Sequence, residues 1–293
     1  MEERKKMSWM HSRPLTVVLI CTAIELFCAG VASGESAARR VSSQGTQRPT
    51  TGGGRASDDG VEVLPDRILQ YVTRAGELAR LGQYDEAIAE FRAAIKVAGR
   101  PIFTAYLNMG SVFFTKGDYA QAAEAFRQAL AVRENSFQGH YNLAEALYAA
   151  GDYVGAEKEY RRVLELPSGR YAIRAHHFLG LALYKQRRLD EAIIEYRAAI
   201  EQAAGKYSEA HYNFGIALLE LARPDAAEKE FRLAIEQEKN AWPEAQYNLA
   251  QALEKQNRFR EAADAYEVYL RLAPGAADVK TTREYIDYLR RKP

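Results

Sequence analysis

The chain has 293 residues, 40 of them Lys or Arg and 39 Asp or Glu, and 47% are hydrophobic. That near-balance removes the electrostatic bias on which nucleic-acid binding leans, and the apolar content is that of an ordinary soluble chain able to bury a core. Only two cysteines occur, Cys21 and Cys28, both near the start, so the rest of the chain has no thiol or disulfide chemistry.

The first 33 residues are basic at the start (Arg4, Lys5, Lys6, Arg13) and then apolar, with LTVVLICTAI from Leu15 to Ile24 and LFCAGVA up to Ala32. A basic start, a short apolar core and small residues around Gly30 to Ser33 read as a secretory signal cleaved after Ala32 or Ser33. The competing reading is a retained membrane anchor, since Leu15 to Ala32 is close to the minimum length for a span. Glu25 weighs against it, because a carboxylate is costly at the bilayer centre. Lipidation at Cys28 is disfavoured by Glu25-Leu26-Phe27 before it. Residues 34–62, with GTQRPTTGGGRASDDG at their centre, hold too little apolar surface to offset ordering entropy and read as a disordered tether. Without the leader the chain is formally neutral.

From Leu64-Pro65-Asp66 onward the pattern turns helical and repeats. In HYNLAEALYAAGDYVGAEKEYRRVLELP, residues 140–167, one apolar face carries His140, Leu143, Ala144, Leu147 and Tyr148 and a second carries Ala156, Tyr160, Val163 and Leu164. Gly151-Asp152 separates them, a helix stop followed by a helix start, so the unit is a helical hairpin. Its second-helix alanine recurs as Ala87, Ala122, Ala156, Ala192, Ala227 and Ala262, with an aromatic four residues on: Phe91, Phe126, Tyr160, Tyr196, Phe231, Tyr266. The first helices carry a small residue at Ala75, Gly110, Ala144, Gly180, Gly215 and Ala250, and a large one three residues later. Small residues admit close helix approach, and the rings fill the space beside them.

This period of about 35 residues with its small, large, small, aromatic columns resembles the tetratricopeptide repeat family. The resemblance covers about residues 68–275 in six copies and implies an all-α, right-handed α-solenoid. With the flanks it divides the chain into a leader (1–33), a linker (34–62), the repeat domain (63–275) and a C-terminal capping helix (276–293). Val279, Thr282, Ile286 and Leu289 form that helix's stripe, and Arg290, Arg291 and Lys292 suit its C-terminal dipole. The turn glycine is present as Gly82, Gly117 and Gly151 but replaced by Arg187, Ala222 and Asn257, where less ideal turns are expected. Arg74 stands where other copies have Met109, Leu143, Leu179, Phe214 and Leu249, as befits a terminal repeat.

No nucleophile elbow, phosphate loop, dinucleotide fingerprint or HExxH motif occurs, so no catalytic residue, cofactor or metal is assigned. His140, His176 and His211 recur one per hairpin, and equivalent side chains on helices roughly 8–10 Å apart do not converge on one metal, so they read as packing residues. His177 points about 100° from His176 and forms no bidentate pair with it.

The resemblance implies that the first helices line a concave groove whose repeated side chains touch the ligand. The candidate contacts are Asn108, Tyr141, Asn142, His177, Tyr212, Asn213, Tyr247 and Asn248. An amide offers donor and acceptor to the backbone of an extended segment, and tyrosine adds apolar area with a polar tip. His177-Phe178 interrupts the Tyr-Asn ladder, and Val72, Thr73, Tyr141 and Asn142 stand where the family's carboxylate clamp places basic residues, so a clamp is not expected. The expected function is a non-catalytic, exported interaction scaffold. It holds a peptide segment or partner helix within an envelope or membrane-associated complex, and its leader offers membrane association if retained. RNA binding by helical repeats, or service as the regulatory subunit of a separate enzyme, are the alternatives. The neutral charge speaks against nucleic acid.

Overall fold

The structure, a computed structural model, describes residues 62–166 and 169–293. The expected leader, and the expected tether as far as Val61, lie outside the described residues. Among those described are thirteen α-helices and no strand. In order they are α1 (Asp66–Arg80), α2 (Tyr84–Ala98), α3 (Phe103–Lys116), α4 (Tyr119–Val132), α5 (Phe137–Ala149), α6 (Tyr153–Glu165) and α7 (Gly169–Lys185). Then come α8 (Leu189–Gln202), α9 (Ser208–Glu220), α10 (Pro224–Gln237), α11 (Pro243–Lys255), α12 (Phe259–Leu272) and α13 (Val279–Arg290). They pair as six hairpins and a last helix, the fold class of an all-α repeat solenoid.

The helices fall into two compact units whose boundary lies inside α7, between Ala175 and His176. In the first, α1 to α6 pack each on the next, and Glu62 anchors the entering chain by accepting from the Thr104 N–H (3.0 Å) at the start of α3. A carboxylate suits that positive helix end. In the second unit α8 to α12 pack likewise, and α13 closes on α12.

Each hairpin is locked by the small-aromatic pairing. A Cβ on Gly110 would lie 2.6 Å from the Phe126 ring, one on Gly180 2.6 Å from Tyr196, and one on Gly215 2.7 Å from Phe231. The rings themselves, Phe91, Phe126, Tyr160, Tyr196, Phe231 and Tyr266, are buried in all six hairpins. Absence of a side chain on one helix therefore makes room for the ring of the other.

The inter-helix turns keep one geometry whatever residue occupies them. The bond five residues back, such as Asp118 N–H to the Phe113 carbonyl (2.9 Å), recurs as Arg188 to Leu183 (3.0 Å), Arg223 to Leu218 (2.9 Å) and Arg258 to Leu253 (3.0 Å). Gly117 takes φ 88° there, and Arg187, Ala222 and Asn257 are forced to 65°, 54° and 62°. An L side chain in that left-handed region is strained. Ala222→Gly is therefore expected to stabilise the second unit by about 1 kcal/mol in urea denaturation; an unchanged midpoint would show the strain is absorbed elsewhere.

The closing helix buries Thr282, Tyr285, Ile286 and Leu289, while Val279 is only half-buried. Tyr285, absent from the stripe read in the sequence, donates its hydroxyl to Glu254 of α11, which also accepts from Tyr266 (2.7 Å). Buried Asp278 accepts from Tyr269 (2.9 Å) and Thr282 (3.2 Å), tying the start of α13 to α12. At the other end Arg74 is largely exposed and reaches Glu90 at 3.4 Å.

Candidate functional site

The odd-numbered helices α3, α5, α7, α9 and α11 are the first helices of their hairpins and carry the expected ladder. Asn108 is half-buried on α3, whereas Tyr141, Asn142, His177, Tyr212, Asn213, Tyr247 and Asn248 are all buried. The tyrosine rings do not stand free as contact surfaces; they fill the seams between neighbouring helices. Tyr141 lies edge-on to Tyr160 (5.9 Å between ring centres), Tyr212 stacks on Trp242 (4.6 Å), and Tyr247 lies edge-on to Tyr266 and Tyr269 (5.2 Å each).

The amides form rungs from one first helix to the next. Asn213 Nδ2 meets His177 Nε2 at 2.9 Å, and His177 Nδ1 meets the Tyr207 hydroxyl at 2.8 Å. Since an amide nitrogen only donates, Nε2 accepts and Nδ1 carries the proton. Asn248 Nδ2 donates to the Tyr212 hydroxyl at 2.9 Å. Burial and the nearby Glu244 charge push the Tyr212 phenol well above its ordinary range, so it stays protonated. His177, which breaks the Tyr-Asn dipeptide, thus joins the ladder as a rung.

Two oxygens on these rungs have no donor. Asn142 Oδ1 and Asn213 Oδ1 are buried without a hydrogen-bond partner among the described residues. They occupy equivalent places, one in each unit. A buried unpaired amide oxygen costs about 1–3 kcal/mol, so each is a position where an arriving N–H gains its full value.

Sequence reasoning missed Glu145, one turn along α5 from Asn142 and Tyr141. It is buried, and that burial pushes its carboxyl up to about 7, against the opposing pull of the Arg174 guanidinium and the Tyr141 hydroxyl. The column could have revealed it: the equivalent residues are Ser111, Leu181, Ile216 and Gln251, so Glu145 is its one acid.

The recurring histidines bridge each hairpin. His140, His176 and His211 each set Nδ1 against a second-helix carboxylate, Glu159 (2.6 Å), Glu195 (2.7 Å) and Glu230 (2.6 Å). His140 Nε2 also faces the Glu134 carbonyl at 2.8 Å and His211 Nε2 the Gly205 carbonyl at 3.2 Å. Each ring is used within its own hairpin. Among the described residues no group of three metal-ligating side chains converges, and no helix is long and apolar enough to cross a membrane.

Six consecutive helical hairpins with a buried small-aromatic pair in each define a helical-repeat protein of the tetratricopeptide class. The tetratricopeptide repeat pattern matches residues 71–135, 107–172, 172–208 and 212–277, and the chain belongs to the tetratricopeptide repeat family. It is 33% identical over 75 residues to Tetratricopeptide repeat protein 13 of Homo sapiens, covering 26% of this chain and only 8% of that protein's length. Among solved structures it is similar to PilW, a widely conserved type IV pilus biogenesis factor, with TM-score 0.65 and 15% identity over 75% of this chain and 100% of PilW. It is also similar to YrrB, a tetratricopeptide repeat protein with an unusual peptide-binding site, with TM-score 0.54 and 18% identity over 66% and 97% of the two chains. At these identities the likeness is one of fold. The family is one of protein-interaction scaffolds.

Proposed function

We propose that the chain is an exported, non-catalytic scaffold that holds a segment of a partner protein along its first helices, in an envelope or membrane-associated complex. The observation that carries this reading is the pair of buried, donorless oxygens of Asn142 and Asn213. An extended segment presents backbone N–H groups free to satisfy them, whereas a helix has spent its own internally, so an extended peptide is the favoured ligand over a partner helix. Asn108 stands with Asn142 in the first unit and Asn248 with Asn213 in the second, and Tyr141, Tyr212, Tyr247 and His177 act by fixing the amides in place. The peptide-binding description of YrrB and the pilus role of PilW agree with this reading by analogy of fold. The basic and apolar residues 1–33 are the motive for export.

The test compares partners captured from an envelope extract by the native chain and by the Asn142→Ala, Asn213→Ala double variant, with helical content and melting measured in parallel. A partner lost from a variant that remains folded is the expected result. If every association survives at native strength, the first-helix amides are not the binding site.

A further inference from the structure

Two groups in want of a donor stand side by side on α5. Asn142 is 6% exposed, with Oδ1 unpartnered, and Glu145 is 8% exposed. At 100° per residue, Asn142 lies about 60° from Glu145 around the helix axis and Tyr141 about 40° on its other side, each about one turn away along the helix. Their polar ends therefore share one face. The same column of the first helices is only half-buried at Ser111 on α3 and at Gln251 on α11, so it belongs to the side on which a ligand arrives. Arg174 of α7 and the Tyr141 hydroxyl both favour the ionised form of Glu145, yet burial outweighs them and holds the carboxyl near 7. A carboxyl in that state is short of positive charge. It costs the free chain stability above neutrality, and packing alone gives no reason for an acid there. In the second unit the residue one turn on from Asn213 is Ile216, fully buried and apolar.

We propose that Asn142 and Glu145 form a cation-binding notch in the first unit, which takes the side chain of a lysine or arginine carried by the partner segment. The inference rests on the first helices being the binding face and names the chemistry that they read. An ammonium or guanidinium carries several donors and no acceptor, so one head group serves the carboxylate and Asn142 Oδ1 together. The long apolar stem of either residue lets that head enter a shielded site while the segment's backbone stays outside. Away from water the attraction between the two charges is strengthened, and the amide oxygen gains its missing donor at the same time. An arriving cation also favours the ionised carboxylate, so the destabilisation that Glu145 imposes on the free chain is offset in the complex. With Ile216 in the corresponding place beside Asn213, the second unit has no such preference. The ligand of the first unit is thus an extended segment with a basic residue, not an apolar or acidic one.

The probe is a display library of short randomised peptides, selected in parallel on the native full chain and on Glu145→Gln. Glutamine keeps the shape and removes a buried charge, so a changed selection is not a loss of fold. The native chain is expected to enrich peptides with a basic residue at a fixed place, about tenfold more than the variant does. Norleucine at that place is then expected to weaken binding about tenfold to the native chain and to Glu86→Gln, which removes an exposed acid of α2, but hardly at all to Glu145→Gln. Selected peptides without a basic residue, or a norleucine loss equal in the native chain and Glu145→Gln, overturn the proposal and leave the binding face standing. Peptides that bind the Asn142→Ala, Asn213→Ala double variant at native strength, or no selected peptide at all, defeat the binding-face reading and the notch with it. The two failures are therefore distinguishable.

Discussion

Phe231→Ala is expected to lower the stability of the second unit by about 3–5 kcal/mol. The ring is fully buried between α9 and α10 and lies directly over Gly215, which has no side chain with which to refill the space. Truncation therefore loses the transfer free energy of the ring and leaves a cavity along a helix pair whose close approach depends on it. Because repeats draw stability from their immediate neighbours, the loss extends to α8 and α11 and shows first as faster amide exchange in the second unit. Leu233→Ala, on the same helix but at an exposed position, is expected to cost under about 0.5 kcal/mol. Comparable losses for the two variants in urea denaturation would contradict the small-aromatic lock.

Glu145→Gln is expected to remove a pH dependence and stabilise the first unit at pH 8 by about 2–3 kcal/mol. Burial raises the folded carboxyl to about 7 from an ordinary 4.5. Between those values the folded chain holds a proton that the unfolded chain has released, so the group's contribution is complete below 4.5 and declines as pH rises. It is gone above 7, where the buried carboxylate is charged. Glutamine keeps the shape and one acceptor and never ionises. The native chain should thus lose stability between about pH 4.5 and 8 relative to the variant, with the two converging in acid. Parallel stability profiles across that range would mean that Arg174 and Tyr141 fully compensate the charge.

The sequence discloses what repeats and what is local. The second-helix alanine, the ring four residues on and the facing small residue recur often enough to fix the hairpins. Gly215 against Phe231 is the contact that this pattern implies. The turns at Arg187, Ala222 and Asn257 show where propensity is overridden: the paired helices impose a left-handed residue there although only glycine adopts it freely. The candidate site is less legible, because a Tyr-Asn dipeptide looks the same whether its ring faces an open groove or the next helix. Tyr212 and Asn213 differ by one residue, hence by 100°, and tertiary packing turns the first onto Trp242 and the second onto His177. Glu145 is hidden for a related reason. A surface acid and a buried acid have the same letter, and only its place among Ser, Leu, Ile and Gln marks it. Tyr285 escaped because its role, a hydroxyl on Glu254, depends on how α13 lies against α11.

The central claim is that the first-helix amides receive the partner. Its most direct measurement is photo-crosslinking from an amino acid with a benzophenone side chain, placed in turn at Asn108, the half-buried one among them, and at Leu233 on the outer side of α10, in the presence of envelope extract. The account predicts one partner joined from position 108 through a short extended segment, competed away by that segment as a synthetic peptide, and nothing from position 233. The same partner crosslinked equally from both positions, or from 233 alone, would contradict it.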